Sequence, residues 1–105
     1  MRRGTTPTIK ITIKDKSGKP FNVDGLADGR VTFEQFNRTV IEKKLSDCVL
    51  SDNTVSVTLT QKETLQLDAS SDIKVQCKFS DSFGVVVATN IKQLHCHDIL
   101  NEEVL

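Results

Sequence analysis

The chain reads as all-β: a single antiparallel β-sandwich of immunoglobulin-like architecture. Three features predict it. Apolar and polar residues alternate in segment after segment, β-branched residues fill those segments, and turn-forming residues separate them at short intervals. No helix-length stretch carries a 3.6-residue period.

Ile9, Ile11 and Ile13 alternate with Thr8, Lys10, Thr12 and Lys14. Side chains leave a strand on opposite faces in turn, so this segment can bury one face and wet the other. Lys16-Ser17-Gly18-Lys19-Pro20 ends it, and Asp24-Gly25 and Asp28-Gly29 punctuate the connection that follows. In the next strand Val31 and Phe33 alternate with Arg30, Thr32 and Glu34. Cys48 to Leu50 is a short extended piece, set off by Ser51-Asp52-Asn53 from a strand starting at Thr54. There Val55, Val57 and Leu59 alternate with Thr54, Ser56, Thr58 and Thr60.

Thr60-Gln61-Lys62-Glu63 has capping-box spacing, the Thr60 hydroxyl accepting from the Glu63 amide. It predicts one helical turn near 61–66, a crossover that tucks Leu65 and Leu67 under the sheets. Ile73, Val75, Cys77 and Phe79 alternate with Lys74, Gln76 and Lys78. Ser80-Asp81-Ser82 then leads to Val85-Val86-Val87-Ala88, and the last strand is expected between Gly84 and Leu94. About seven strands result, the count of an immunoglobulin-like sandwich. Residues 8–105 form the domain and residues 1–7 a flexible N-terminal arm. The cysteine-tryptophan-cysteine signature of antibody domains is absent, so the likeness is one of architecture.

Composition narrows the function classes. The chain has 105 residues, enough for one domain. Fourteen Lys and Arg balance fourteen Asp and Glu. A neutral chain lacks the clustered positive charge that nucleic acid demands, and the basic opening at Arg2 and Arg3 has no aromatic side chain interleaved with it for base stacking. No run approaches the roughly 18 to 20 apolar residues of a membrane span. Met1-Arg2-Arg3-Gly4-Thr5-Thr6-Pro7 opens positively but no apolar segment follows, so export is not expected. Cys48, Cys77 and Cys96 are odd in number and far apart, the pattern of reduced thiols serving as small apolar residues.

Two clusters invite a chemical reading. Asp24 to Phe36 resembles an EF-hand loop, with Asp24 at loop position 1, Asp28 at 5 and Gly29 at 6. Leu26 at position 3 has no side-chain oxygen, and Gln35 at position 12 removes the bidentate carboxylate. A turn leading into a strand at Arg30 is expected instead. His95-Cys96-His97 puts two imidazoles on one face of a strand, where His95 and His97 can grip a metal with Asp98 or Cys48 as third ligand. The competing reading is an exposed pair at the end of the last strand, with Cys96 in or beside the core. No nucleophile, acid–base pair or phosphate-cradling glycine loop is visible. No catalytic, cofactor-binding or metal residue is therefore assigned, no cofactor is expected, and the chain is expected not to be an enzyme.

Several stretches carry a resemblance: Met1-Arg2-Arg3-Gly4-Thr5-Thr6-Pro7-Thr8, Val31-Thr32-Phe33-Glu34-Gln35, Val55-Ser56-Val57-Thr58-Leu59-Thr60-Gln61-Lys62-Glu63-Thr64, Asp72-Ile73-Lys74-Val75-Gln76-Cys77, and Ile99 to Leu105. Together they are similar to small β-rich proteins of phages and prophages of Firmicutes, which themselves resemble the N-terminal β-sandwich domain of some baseplate proteins. The stretch from Lys16 to Asp28 is longer than in those proteins, and His95-Cys96-His97 stands where they have a valine-rich strand end. The resemblance implies a non-enzymatic virion or assembly component of tail, baseplate or head, made in the cytoplasm of the bacterial host. Its partners would be other phage structural proteins, or second copies through edge strands, with neither nucleic acid nor membrane involved. An open sandwich has unpaired backbone groups along its edges that accept another chain. The edges are expected at Thr8 to Lys14 and at Gly84 to Leu94. A small ligand- or metal-binding module using His95 and His97 is the alternative.

Overall fold

A computed structural model describes residues 1–15 and 17–105. Among the described residues two antiparallel sheets form, as the alternation predicts, from eight strands where about seven were expected. The smaller sheet has the order β1-β5-β4, from strands Thr8–Thr12, Thr54–Thr58 and Val49–Ser51. The larger runs β3-β2-β6-β7, from strands Arg38–Lys44, Leu26–Gln35, Ile73–Asp81 and Val86–Ala88. The fifth strand of this sheet, β8 (Lys92–Leu94), also pairs with β6.

The inward faces meet in one core. Ile11, Val55 and Val57 of the smaller sheet lie with Val31, Phe33, Ile73, Val75, Cys77 and Phe79 of the larger. These are the alternate residues of each segment, as the two-residue period requires. The capping box forms as the spacing predicts. Thr60 accepts from the Glu63 amide at 3.2 Å while Glu63 accepts from the Thr60 amide at 2.9 Å. The helix α1 it starts is a single turn, Gln61–Leu65. Leu67 is buried, whereas Leu65 is half-buried.

Several elements differ from the sequence expectation. Strand β2 starts at Leu26, not Arg30, because Asp28-Gly29 continues the pairing with Ser80 and Phe79 rather than turning. Gly29 is needed there for contact: a Cβ on it would lie 2.6 Å from Leu45 Cδ1 and 2.8 Å from the Lys78 carbonyl. Strand β3 was not expected. It is an edge strand on which Ile41 alone is fully buried, and its register with β2 shifts between Phe33 and Glu34, which breaks the period. The expected last strand is two short pieces on one flank of β6. From Lys78 back to Val75 is three steps, while their partners run four, from Ala88 to Lys92. One extra residue is therefore accommodated around Thr89 to Ile91. Lys16, the first residue of the expected break after β1, lies outside the described residues.

Residues 1–7, expected as a flexible arm, lie against the opposite end of the chain. The Arg3 amide donates to the His97 carbonyl at 2.9 Å, and the His97 amide to Met1 at 2.7 Å. The Arg3 guanidinium donates to the carbonyls of Leu67 and Leu65 and to the carboxylates of Asp98 and Glu102.

Candidate functional site

The sandwich is open along one side. There β1, an edge of the smaller sheet, faces β7 and the residues after it, an edge of the larger. Between them runs a groove of about 840 Å³. Its apolar lining includes Ile11, Phe21, Val75, Phe79 and Val87, and its polar lining includes Lys10, Lys14, Lys92 and Asp15. The two edges expected from the sequence flank it.

The backbone of β1 sets the chemistry of the near wall. Just outside its ladder with β5, the Leu59 amide donates to the Pro7 carbonyl at 3.0 Å and the Ile13 amide to the Asn53 carbonyl at 2.7 Å. In an antiparallel pair, residues that face the partner alternate with residues that face away. Pro7 and Ile13 fix the phase, so Ile9 and Ile11 face β5. Thr8, Lys10 and Thr12 point their N–H and C=O groups outward. Beyond Thr12 the edge is covered, because the Phe21 amide donates to Ile13 and Lys14 bridges to Pro20.

The far wall is held by Thr89. Its amide donates to the Cys77 carbonyl at 2.8 Å, and its hydroxyl accepts from the Cys77 amide at 3.1 Å. Gln76 Nε2 donates to the Thr89 carbonyl at 2.9 Å. Next to this wall, the Asp81 carboxylate accepts from the amides of Phe83 and Val85 and shapes the β6–β7 turn. Gly84 there has φ 82°, a left-handed conformation natural to glycine. The turn presents Phe83, 91% exposed, beside exposed Val85 and Val86. Apolar side chains clustered outside a core mark a contact surface more often than scattered ones do.

Electrostatics divide the groove. Among the described residues, no ion pair engages Lys10, Lys14 or Lys92. The Asp15 carboxyl is held below its ordinary value by hydrogen bonds from the Ser17 hydroxyl and the Lys19 amide. Three lysines against one carboxylate give the rim a net positive charge in a chain whose total charge is zero.

The sequence-derived clusters lie elsewhere. Asp24 is in a short 3-10 turn (Val23–Gly25) whose N-cap, Asn22, accepts from the Asp24 amide at 2.9 Å. Asp28 takes the Gly29 amide and the Arg30 guanidinium. Gln35, the failed calcium position, is buried. Its Nε2 donates to the carbonyls of Asp68 and Ser71 at 2.8 and 2.9 Å, and its Oε1 accepts from the Asp68 amide at 2.8 Å. Sequence reasoning missed this role; the inward phase of Val31 and Phe33 was the available signal.

His95 and His97 are exposed, with ring centroids 6.5 Å apart, and Asp72 meets His95 Nδ1 at 3.0 Å. Asp98 is engaged by Arg3, and Cys48 Sγ donates to the Lys44 carbonyl. Among the described residues, no group of three or more His, Cys, Asp or Glu is placed to hold a metal ion. All three thiols are free. Burial pushes the Cys77 thiol up to about 11, with nearby Cys48 adding to the effect.

No family model matches the chain, and no curated protein or solved structure matches it either. Among the described residues, no helix is long and apolar enough to cross a membrane.

Proposed function

We propose that this chain is a non-enzymatic protein-binding module, a structural or assembly part of a prophage-encoded particle, working in the tail, baseplate or head. The observation that carries the binding role is the groove between two open strand edges, with an apolar floor and a charged rim. Backbone groups that face outward along β1 offer hydrogen bonds to any extended chain, and the floor offers apolar burial. The groove lining holds no Cys, His or Ser among the described residues. The particle assignment is supported by the resemblance of the opening, central and closing segments to small phage proteins. On this reading the chain is made in the bacterial host cytoplasm and joins other particle proteins there.

A photo-reactive residue at Thr12, installed during prophage induction, tests this. Cross-links from Thr12 to an identified particle protein, absent from a control position on β3, are expected. Cross-links at β3 alone, or particles that assemble normally without the chain, would contradict it.

A second reading makes the chain a small metal-binding module. One observation favours it: Asp72 meets Nδ1 of His95, the arrangement by which carboxylates orient metal-bound imidazoles. Zinc titration followed by histidine NMR tests it. Paired shifts of His95 and His97 support the reading, and unmoved resonances at excess zinc end it.

A further inference from the structure

We propose that the groove selects an extended acidic segment of another polypeptide, with apolar and acidic residues in alternation, and adds it as a strand to β1. The proposal rests on the protein-binding reading and specifies its ligand.

Thr8, Lys10 and Thr12 leave three N–H and three C=O groups pointing away from β5, by the phase that Pro7 and Ile13 set. An added strand satisfies them. It spans about five residues, roughly 17 Å, before the Phe21 and Pro20 contacts close the edge. The strand β7 is a poorer acceptor, with only three residues, Val86–Ala88.

Pleating then sorts the side chains of the guest. Alternate residues turn inward toward Val75, Phe79 and Val87, where apolar side chains gain burial. The residues between them turn outward, level with Thr8, Lys10 and Thr12. An acidic side chain opposite Lys10 makes a favourable cross-strand pair and a basic one an unfavourable pair. Lys14 and Lys92, also on the groove, extend the same preference.

The same geometry disfavours a second copy as the occupant. Two β1 strands paired antiparallel about their centre place Lys10 opposite Lys10, and like charges directly opposite destabilise a ladder. The surface therefore discriminates by charge against its own edge while remaining open to an acidic one, a form of negative selection.

The test uses a fluorescein-labelled peptide of about eight residues alternating valine and glutamate, and a matched valine–lysine peptide. Fluorescence anisotropy and ¹⁵N NMR are recorded on the full chain. The acidic peptide is expected to bind, to shift Thr8, Lys10, Thr12, Val87 and Thr89, and to weaken as salt rises. Lys10→Glu with Lys92→Glu, both exposed positions, is expected to weaken the acidic peptide about tenfold and to favour the basic one. Equal binding of both peptides, shifts at β3 instead, or a chain dimer abolished by Lys10→Glu would each overturn the proposal. If only the valine–lysine peptide enters the groove, acidic selection falls while protein binding stands. If neither peptide perturbs the groove and the Thr12 cross-links are also absent, both fall.

Discussion

Gln35 and Asp68 exchange hydrogen bonds in both directions. Gln35 Nε2 donates to the Asp68 carbonyl at 2.8 Å, and Gln35 Oε1 accepts from the Asp68 amide at the same distance. With the Ser71 carbonyl as a third partner, one side chain from the end of β2 fixes the loop that leads into β6. Gln35 is 4% exposed, so water cannot readily replace it. Gln35→Ala leaves one buried amide and two carbonyls short of a partner. Its expected cost is about 2 to 3 kcal/mol, read by urea unfolding. Gln35→Glu keeps the shape but turns an acceptor toward two carbonyls, and is expected to destabilise more at pH 7 than at pH 4. Destabilisation below about 0.5 kcal/mol for both variants would contradict this role.

Gly29 and Leu45 give a packing prediction. A Cβ at position 29 meets Leu45 Cγ at 2.8 Å and the Lys78 carbonyl at the same distance. The leucine can yield, but the carbonyl belongs to the β2–β6 ladder and cannot. Gly29→Ala is expected to cost about 1 to 3 kcal/mol by thermal unfolding. Gly29→Ala combined with Leu45→Ala should not recover it fully; complete additivity of the two losses would show that Leu45 is not the contact.

The β2–β3 turn predicts a stabilising change. Phe36 and Asn37 have φ of 53° and 60°, between the paired residues Gln35 and Arg38. Positive φ at both central positions defines the hairpin turn that favours Asn and Gly, and a bulky side chain there is strained. Phe36 is also 62% exposed. Phe36→Asn is expected to raise stability by about 0.5 to 1 kcal/mol, measured as a higher urea midpoint with unchanged slope. A loss of stability would mean that the ring makes contacts that outweigh the strain.

Arg3 ties both ends of the chain and sets a pH dependence. The Asp98 carboxyl is held below its ordinary 3.8 by the Ile99 amide and by Arg3. Burial raises the Glu63 carboxyl, but hydrogen bonds from Lys43 and Thr60 outweigh it and leave the group below its ordinary 4.5. A carboxyl lowered by folding stabilises the fold above its unfolded value, and that contribution is lost as pH falls through the folded one. The unfolding midpoint is therefore expected to drop from about pH 4.5 downward. Glu63→Gln should flatten that drop. Arg3→Lys keeps the charge but loses the forked contacts to Leu65 and Leu67, so it should speed hydrogen exchange at the Arg3 and His97 amides. Rapid exchange of those amides in the unaltered chain would instead restore residues 1–7 as a mobile arm.

The two-sheet fold was legible because period-two burial is a local signal. Ile9-Ile11-Ile13 and Ile73-Val75-Cys77-Phe79 announce their inward faces without knowledge of their partners. The same signal fails where tertiary contact decides. Gly29 reads as a turn residue until Leu45 and Lys78 close on it. Ile41 lies on an edge strand whose bulge erases the alternation. Gln35 reads as a missing calcium ligand because its carbonyl partners are backbone groups more than thirty residues away. The groove was legible only in part. The edges at Thr8 and Gly84 follow from an open sandwich, but their approach across Val75 and Phe79, and the gathering of Lys10, Lys14 and Lys92, depend on how the sheets stack.

Among the described residues, β1 presents an unpaired edge to the groove, and residue-resolved amide exchange on the isolated chain reads that edge amide by amide. Thr8, Lys10 and Thr12 are expected to exchange quickly while Ile9 and Ile11 stay protected, and the valine–glutamate peptide should slow the first three. Equal, strong protection of all five amides in the free chain would mean that the edge is already covered, and would contradict the account.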